Sequence, residues 1–177
     1  MRRTRLDAEE IRDALLAISG ELDLAMGGPS VKQFVESPGI HVTPNVDYDG
    51  FDADRPEMKR RSIWRFLFRT LPDPFMETMD CPDASQLAPT RGASVTALQA
   101  LALLNDRFVV RRSEHLAEAV AAQASGDAER VRALWRRVLL RDPSPAELAD
   151  VAPFVARHGL ASAARLLFNC SEFVFVE

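Results

Sequence analysis

The last third of this chain carries helix-starting and helix-ending signals so closely spaced that it fits only a series of short amphipathic helices. In residues 127–141, apolar side chains recur at the i, i+3, i+4, i+7 spacing of one buried stripe, namely Val131, Leu134, Trp135 and Val138. Pro143 stops this helix, and Ser144 with Glu147 forms a capping box that begins the next one. Gly159 ends that helix, and a third follows. The pattern predicts a helical architecture and contains no reactive group.

Three further helices are predicted upstream. Residues 6–19 form the first, with Asp7 as its cap and Gly20 as its end. Residues 94–104 are apolar nearly all round, which predicts a helix at the centre of the fold. Residues 108–124 form another amphipathic helix. The fold class expected is therefore mainly α, an irregular bundle of about five to six helices.

The region from roughly residue 27 to residue 60 is rich in proline, glycine and aspartate and lacks a helical period. We expect extended backbone and loop there, with a short strand at 40–46. The aromatic segment 60–70 fits either a helix or a strand, because periodicity does not distinguish them in so short a run.

Length and composition place residues 1–177 in a single domain of ordinary globular type. The net charge of −4 argues against nucleic acid as a partner. No apolar run is long enough to span a bilayer, and the basic first residues lead into acidic ones rather than into the apolar core of a signal peptide. Cys81 and Cys170 are expected to be unpaired, although one long-range disulfide remains open. The negative field of Asp80 and Asp83 disfavours a thiolate at Cys81.

One loop resembles the opening of a calcium site. Oxygen-bearing side chains at alternate positions precede a glycine, in the order Asn45, Asp47, Asp49 and Gly50. The twelfth position, however, is Pro56, and the acidic residue Glu57 comes one place late. We expect Asn45, Asp47, Asp49 and Glu57 either to ligate calcium irregularly or to form a solvated acidic loop, and the sequence favours the loop.

Other candidate chemistry is weaker. The three histidines, His41, His115 and His158, lack the spacing of a zinc site, and His115 is expected to be exposed. The carboxylates Asp80 and Asp83 form the most suggestive pair for an enzyme, provided that they converge with Arg91 or Glu57 in one cleft. The arginines of residues 130–141 lie on two helix faces, which predicts a solvated rim rather than a nucleic-acid site.

Four phrases of the sequence together resemble one family. They are RLDAEEIRDA at residues 5–14 leading to MGGP at 26–29, RRSIWRF at 60–66, TALQALALLND at 96–106 and LFNCSEFVFV at 167–176. In this order they are similar to the C-terminal portion of PSD-one, the domain of unknown function numbered fifteen-fifty-three, found in planctomycete-type bacteria.

This resemblance implies a context rather than a mechanism. It implies that the chain is the C-terminal part of a larger domain, in a large exported protein with companion domains and often a cytochrome-like haem domain. No Cys-x-x-Cys-His occurs, so haem is expected only by association with domains absent from this chain. No cofactor is expected here, and the location is expected to be extracytoplasmic if the chain is like the family.

The leading hypothesis is a non-catalytic scaffold or interaction segment. One irregular stretch carries many aromatic and sulfur side chains, namely Trp64, Phe66, Leu67, Phe68, Phe75, Met76 and Met79. We expect the missing N-terminal part of the domain to cover them. The alternatives are an enzyme or redox-accessory domain acting on an extracellular polymer, and a calcium-dependent binding module.

Overall fold

Helices dominate the structure. A computed structural model describes residues 3–40, 43–86 and 90–176. In chain order, the helices of these residues are α1 (Ala8–Ser19), α2 (Pro56–Lys59), α3 (Pro74–Thr78), α4 (Ala97–Asn105), α5 (Arg107–Gln123), α6 (Asp127–Leu139), α7 (Pro145–His158), α8 (Leu160–Phe168) and α9 (Ser171–Val174). Six of these have nine or more residues, and they are the six that the sequence predicts. The mainly α fold class is confirmed.

The predicted helix ends are confirmed by their hydrogen bonds. At the start of α1, the backbone N–H of Asp7 donates to Glu10 Oε2 at 2.8 Å. At the start of α7, the N–H of Ser144 donates to Glu147 Oε2 at 2.7 Å, while Ser144 Oγ accepts from the Glu147 N–H at 3.3 Å. These reciprocal bonds satisfy helix N–H groups that lack a partner within the helix. Gly20 ends α1 with φ of 82°, a left-handed conformation that glycine adopts without strain.

Helix α5 is the centre of the bundle. It packs against α1, α4, α6 and α8, and α6 packs in turn against α7. Its buried stripe contains apolar residues together with Arg112 and Ser113. A fully buried arginine on this stripe needs polar partners, and those partners anchor the non-helical part of the chain.

Short strands hold two other parts of the chain. Strand β1 (Thr4–Arg5) pairs antiparallel with β4 (Phe175–Val176), so residues near the two ends of the chain lie side by side. Strand β2 (Val35–Ser37) pairs antiparallel with β3 (Asn45–Asp47). The strand expected at 40–46 thus occurs as Asn45–Asp47, while His41 and Val42 lie outside the described residues.

Helix α4 is not central, and that prediction was wrong. Its buried residues are Gln99 and Leu103. The side chains of Val95, just before the helix, and of Leu98 and Leu101 are 77%, 70% and 54% exposed. Helix α4 packs on α3, α5 and α8, and the side that carries Leu98 and Leu101 is exposed among the described residues.

The aromatic segment 60–70 is neither a helix nor a regular strand. It contains one 3₁₀ turn at Ser62–Trp64. Single parallel bridges join Asp23 to Arg60 and Val31 to Arg65. Within this segment, Ser62 and Arg65 are buried, whereas Ile63, Phe66 and Leu67 are exposed. Elsewhere, no helix among the described residues is both long and apolar enough to cross a bilayer.

Candidate functional site: a groove beside helix α1

Two adjoining cavities form one groove on the surface. Their volumes are about 480 Å³ and about 890 Å³. Both are lined by Leu67, Cys81 and Asp83, so they are continuous. We call this the groove; its walls are residues 61–72, residues 81–86 and the first turns of α1. Each of the two cavities has the size of an ordinary ligand-binding cleft.

The apolar wall of the groove is part of an aromatic cluster. The Phe34 ring packs edge-on against Tyr48, Phe66 and Phe68, with centroids 5.3, 6.0 and 6.0 Å apart. Edge-to-face packing of this kind holds the rings in place. Leu67 stands beside the cluster and remains 56% exposed. The wall is thus preformed and faces solvent.

Fewer of the aromatic and sulfur side chains are exposed in the structure than the sequence predicts. Phe75, Met76 and Met79 are buried in the core of the bundle rather than exposed. They are buried because α3 folds its short turn against the other helices. The apolar side chains that this part of the chain leaves exposed are Ile63, Phe66 and Leu67.

The charged wall of the groove is organised by Arg91. Its guanidinium donates to both oxygens of Glu9, at 2.8 and 3.1 Å, and lies 3.3 Å from Asp7. These hydrogen bonds hold the pKa of Glu9 below its usual value. On the same wall, Asp13 accepts from the N–H and the Oγ of Ser62, both at 2.7 Å. The wall is therefore a set of fixed charges.

Cys81 lies where the two cavities meet. It is a free thiol, as is Cys170, which agrees with the prediction of unpaired cysteines. Burial raises the pKa of Cys81, and the nearby Glu9 raises it further. The predicted neutral thiol thus has a different cause from the one expected, which was the field of Asp80 and Asp83.

Asp80 and Asp83 do not converge. Asp80 accepts hydrogen bonds from the N–H and Oγ of Ser94, from Gln99 Nε2 and from Arg5 Nη1, over distances of 2.7 to 3.2 Å. Although burial acts in the opposite direction, these donors lower the pKa of Asp80. Asp80, whose own backbone φ is 65°, therefore holds the chain in place before α4.

Of the proposed acid–base set, the groove unites only Asp83 and Arg91. The Asp83 side chain is exposed, and its Oδ1 accepts from the Ser85 N–H at 2.8 Å, which lowers its pKa. Asp80 and Glu57 do not line the groove. The shifts at Glu9, Asp83, Arg91 and Cys81 all move the pKa away from neutrality. Such groups hold charge steady and are poorly suited to proton transfer.

The calcium-loop residues make other contacts. Asn45 Nδ2 donates to the carbonyl oxygen of Pro38 at 3.1 Å, and Asp47 Oδ1 accepts from the Gly50 N–H at 2.9 Å. Asp49 is exposed, and a Glu57 oxygen lies 3.5 Å from Arg55 Nε. Calcium binding by this loop stays a prediction.

Sequence reasoning missed a cluster of Glu21, Asp54 and His115. Their ligand atoms lie within 4.8 Å of one another, the distance expected around a metal ion. His115 Nε2 lies 2.8 Å from Asp54 Oδ1, and its ring is half-buried, so the prediction of an exposed His115 was wrong. The three residues are far apart in sequence, so no local spacing pattern predicts the cluster.

The same carboxylates are already paired with cations. Asp54 accepts from Arg111 Nε at 2.7 Å and from Arg112 Nη2 at 2.9 Å. Glu21 pairs with Lys59 at 2.7 Å and with Arg112 at 3.1 Å. Because three cations neutralise two carboxylates, the cluster has no charge left for a metal ion. It joins α5 to the loop before α2.

A second buried arginine anchors the aromatic segment. Arg12 of α1 donates to the carbonyl oxygens of Met58, at 2.6 Å, and Arg60, at 3.0 Å. Arg12 and Arg65 also both donate to Gln33 Oε1, at 3.2 and 2.9 Å. The signal was in the sequence, because Arg12 falls on the apolar stripe of the first helix. These bonds hold the backbone of residues 58–60 and the side chain of Arg65, which lines the groove.

Most arginines of residues 130–141 are at least partly exposed, as expected for a solvated rim, and several of them form ion pairs. Arg132 pairs with Glu129, and Arg136 with Asp142, both at 2.6 Å. Arg141 donates to both oxygens of Glu147 and to both oxygens of Glu172. Arg141 thus joins the start of α7 to α9.

Comparison with known proteins places the chain in a family. Residues 1–155 match the model of the family PSD1, described as a protein of unknown function (DUF1553). No curated protein and no solved structure matches the chain.

Proposed function

We propose that this chain, which belongs to the PSD1 family, is a non-catalytic interaction segment of a larger protein. In this proposal, the exposed face of α4 is covered by the preceding part of the PSD1 domain. The observation that carries it is the exposure of Leu98 and Leu101 on a helix that was expected to be buried. The following two features support this choice of surface and partner.

The first feature is the composition of α4. Its nine residues, ALQALALLN, contain no charge. Helices that face water normally carry charged side chains on the outer face. A continuous exposed apolar surface is typical of a protein–protein interface. The stripe from Val95 through Leu98 to Leu101 is therefore suited to another apolar surface.

The second feature is position. Val95, at the N-terminal end of the stripe, lines a small cavity together with Arg5, Val174 and Phe175, which belong to or adjoin the β1–β4 pair. A segment joined to either end of the described chain would therefore start near Val95, whereas Leu98 and Leu101 do not line this cavity. Such a segment would have a high effective concentration there, which favours docking without strong contacts.

Dye binding and self-association of the full chain test this proposal. We expect the isolated chain to bind a hydrophobic fluorescent dye and to associate as its concentration rises. The double variant Leu98→Ser, Leu101→Ser should lose both properties, because both side chains belong to the exposed face. Leu24→Ser, which alters an equally exposed leucine in a loop, is the matched control.

The preceding part of a PSD1 domain, expressed as a separate polypeptide, should also suppress dye binding by the wild-type chain. A monodisperse, dye-silent monomer would contradict the proposal. Dye binding that persists in the double variant would contradict the choice of α4 as the surface.

The proposal also includes the cellular location of the protein and its companion domains. The resemblance implies an extracytoplasmic protein that works beside a cytochrome-like domain. Fusing the native gene product to a reporter that is active only outside the cytoplasm tests the location. Purifying the native protein and recording its haem absorption tests the association.

An enzyme or redox-accessory domain remains the second candidate. One observation favours it, namely that the groove unites Asp83 with Arg91. Its weakness is that the pKa shifts in the groove leave these groups ionised at neutral pH. An Asp83→Asn variant that abolished a polymer-degrading activity of the native protein would support the enzyme and contradict the scaffold.

A further inference from the structure

We propose that the groove binds an extended peptide segment that carries an apolar side chain next to a lysine or arginine. This binding site is separate from the face of α4, so it stands or falls independently of the proposed function. It follows from the shape of the groove, its exposed apolar side chains and its charge.

The apolar part of the site is a pair of exposed side chains from the aromatic segment 60–70. Ile63 and Leu67 are both exposed and both line the groove. Pro82 and Ala84 lie on the opposite wall. An apolar side chain inserted between these walls would be removed from water on two sides, which is the main source of affinity in such sites.

The charge of the groove is strongly negative. Seven carboxylates and four arginines line its two cavities, an excess of three negative charges. The whole chain has a net charge of −4. This concentration of negative charge in a concave, partly apolar site attracts cations and repels acidic ligands.

Fixed pairs neutralise the inner carboxylates and leave the outer ones for a ligand. Arg91 holds Glu9 and Asp7, while Arg65 pairs with Asp73. Glu77 and Asp83 are exposed at the edges, next to the apolar wall. A peptide that places an apolar side chain against Leu67 therefore brings a neighbouring cationic side chain close to one of these carboxylates. An amphipathic peptide uses both features of the site, whereas a small cation would use the carboxylates alone.

An extended backbone suits the geometry of the site. Successive side chains of an extended peptide alternate in direction and advance about 3.3 Å per residue. An extended peptide can therefore direct alternate side chains toward the apolar wall and toward the charged edge. The walls are held by Arg12, Arg65 and the aromatic cluster, so binding needs little ordering of the site.

Fluorescence anisotropy with a labelled five-residue peptide of alternating lysine and leucine tests the inference on the full chain. Two control peptides replace lysine by glutamate or leucine by serine. We expect saturable binding of the lysine–leucine peptide alone, weakened by added salt because exposed charges are screened. Binding of the lysine–serine peptide with equal affinity would indicate a merely electrostatic site and overturn the inference.

Two groove variants and two matched controls locate the site. Leu67→Ser should weaken binding about tenfold, since a half-buried leucine contact is lost. Asp83→Lys should weaken it about fivefold at low salt, because an attraction becomes a repulsion. Leu98→Ser and Asp150→Lys, which alter an exposed leucine and an exposed aspartate elsewhere, should leave the affinity unchanged.

Other outcomes contradict the inference. Equal binding of the glutamate–leucine peptide would show that the charge of the groove does not select its ligand. Absence of binding at millimolar peptide, with circular dichroism showing a folded chain, would show that the groove has no such ligand. Loss of binding in Leu98→Ser alone would move the peptide site to α4.

Discussion

The guanidinium of Arg112 donates to Asp54 Oδ1 at 2.9 Å, and this contact joins residues 58 positions apart in the chain. Arg112 is fully buried in the central helix, whereas Asp54 lies in the loop before α2. The same arginine also donates to Glu21 and to the carbonyl oxygen of Ala53. One buried cation thereby fixes two non-helical segments on the bundle.

Asp54→Asn tests this anchor. We expect the free energy of unfolding to fall by about 2 kcal/mol, because Arg112 loses a charged acceptor while buried and Arg111 and His115 lose the same partner. This loss is smaller than that expected for a fully buried ion pair, because Arg111 and Asp54 are partly exposed. Urea unfolding followed by circular dichroism measures it. Asp49→Asn, an exposed change in the same loop, is expected to have almost no effect.

The acid dependence of stability should reveal the same contact. Hydrogen bonds from Arg111 lower the pKa of Asp54 in the folded protein. A carboxyl group with a depressed folded-state pKa stabilises fully above its unfolded pKa, near 3.8, and loses this effect as the pH falls toward the folded value. Unfolding curves at several pH values should show the wild-type advantage over Asp54→Asn shrinking below about pH 4. A difference that is constant with pH would contradict the assignment.

Asp80 and Asp83 should differ sharply in structural importance. Asp80→Ala should lower stability by about 2 kcal/mol, because Ser94, Gln99 and Arg5 lose their acceptor. Asp83→Ala should leave the stability almost unchanged, since this side chain is exposed and contacts one backbone N–H. Thermal unfolding of both variants makes the comparison. Similar losses in the two would contradict the placement of Asp80.

Cys81 should react slowly with alkylating reagents. Burial raises the pKa of Cys81 and the nearby Glu9 raises it further, so little thiolate forms at neutral pH. In a Cys170→Ser background, the alkylation rate should rise with a midpoint at higher pH than that of a small free thiol measured in parallel. Glu9→Gln should move this midpoint downward, because the nearby negative charge is removed. A midpoint below that of the free thiol would show an activated thiol and revive a catalytic role.

Calcium is expected to leave the thermal stability unchanged. Asp47 is already bonded to the Gly50 N–H, and Asn45 to Pro38, so the loop would have to rearrange in order to ligate an ion. Melting curves with and without millimolar calcium test the prediction, because a ligand of the native state must raise the midpoint. An increase that Asp49→Asn abolishes would establish the calcium module instead.

The sequence determined the helices because their signals are local. The boxes at Asp7–Glu10 and Ser144–Glu147 and the break at Gly20 each act within a few residues, and all three were predicted correctly. The family was also determined by the sequence, since ordered phrases carry it. A pattern that acts over one helical turn does not need the rest of the fold.

Other features depended on contacts between distant residues. The exposure of α4 was missed because apolar composition does not say whether a neighbour packs against each face. The cluster of Glu21, Asp54 and His115 was missed because its members are remote in sequence. Arg12 and Arg112 gave a usable signal, an arginine on an apolar stripe, yet their partners were not identifiable.

The chain by itself therefore determined the six longer helices, most of their ends and the family to which it belongs, but not the short helices α2, α3 and α9. Tertiary structure alone decided that α4 faces solvent, that Phe75, Met76 and Met79 are buried, and that a negatively charged groove forms beside α1. The physical reason is the distance along the chain over which each kind of interaction acts. Capping and periodicity are short-range preferences, whereas burial, ion pairing and the shape of a groove arise from the packing of segments that the sequence order does not bring together.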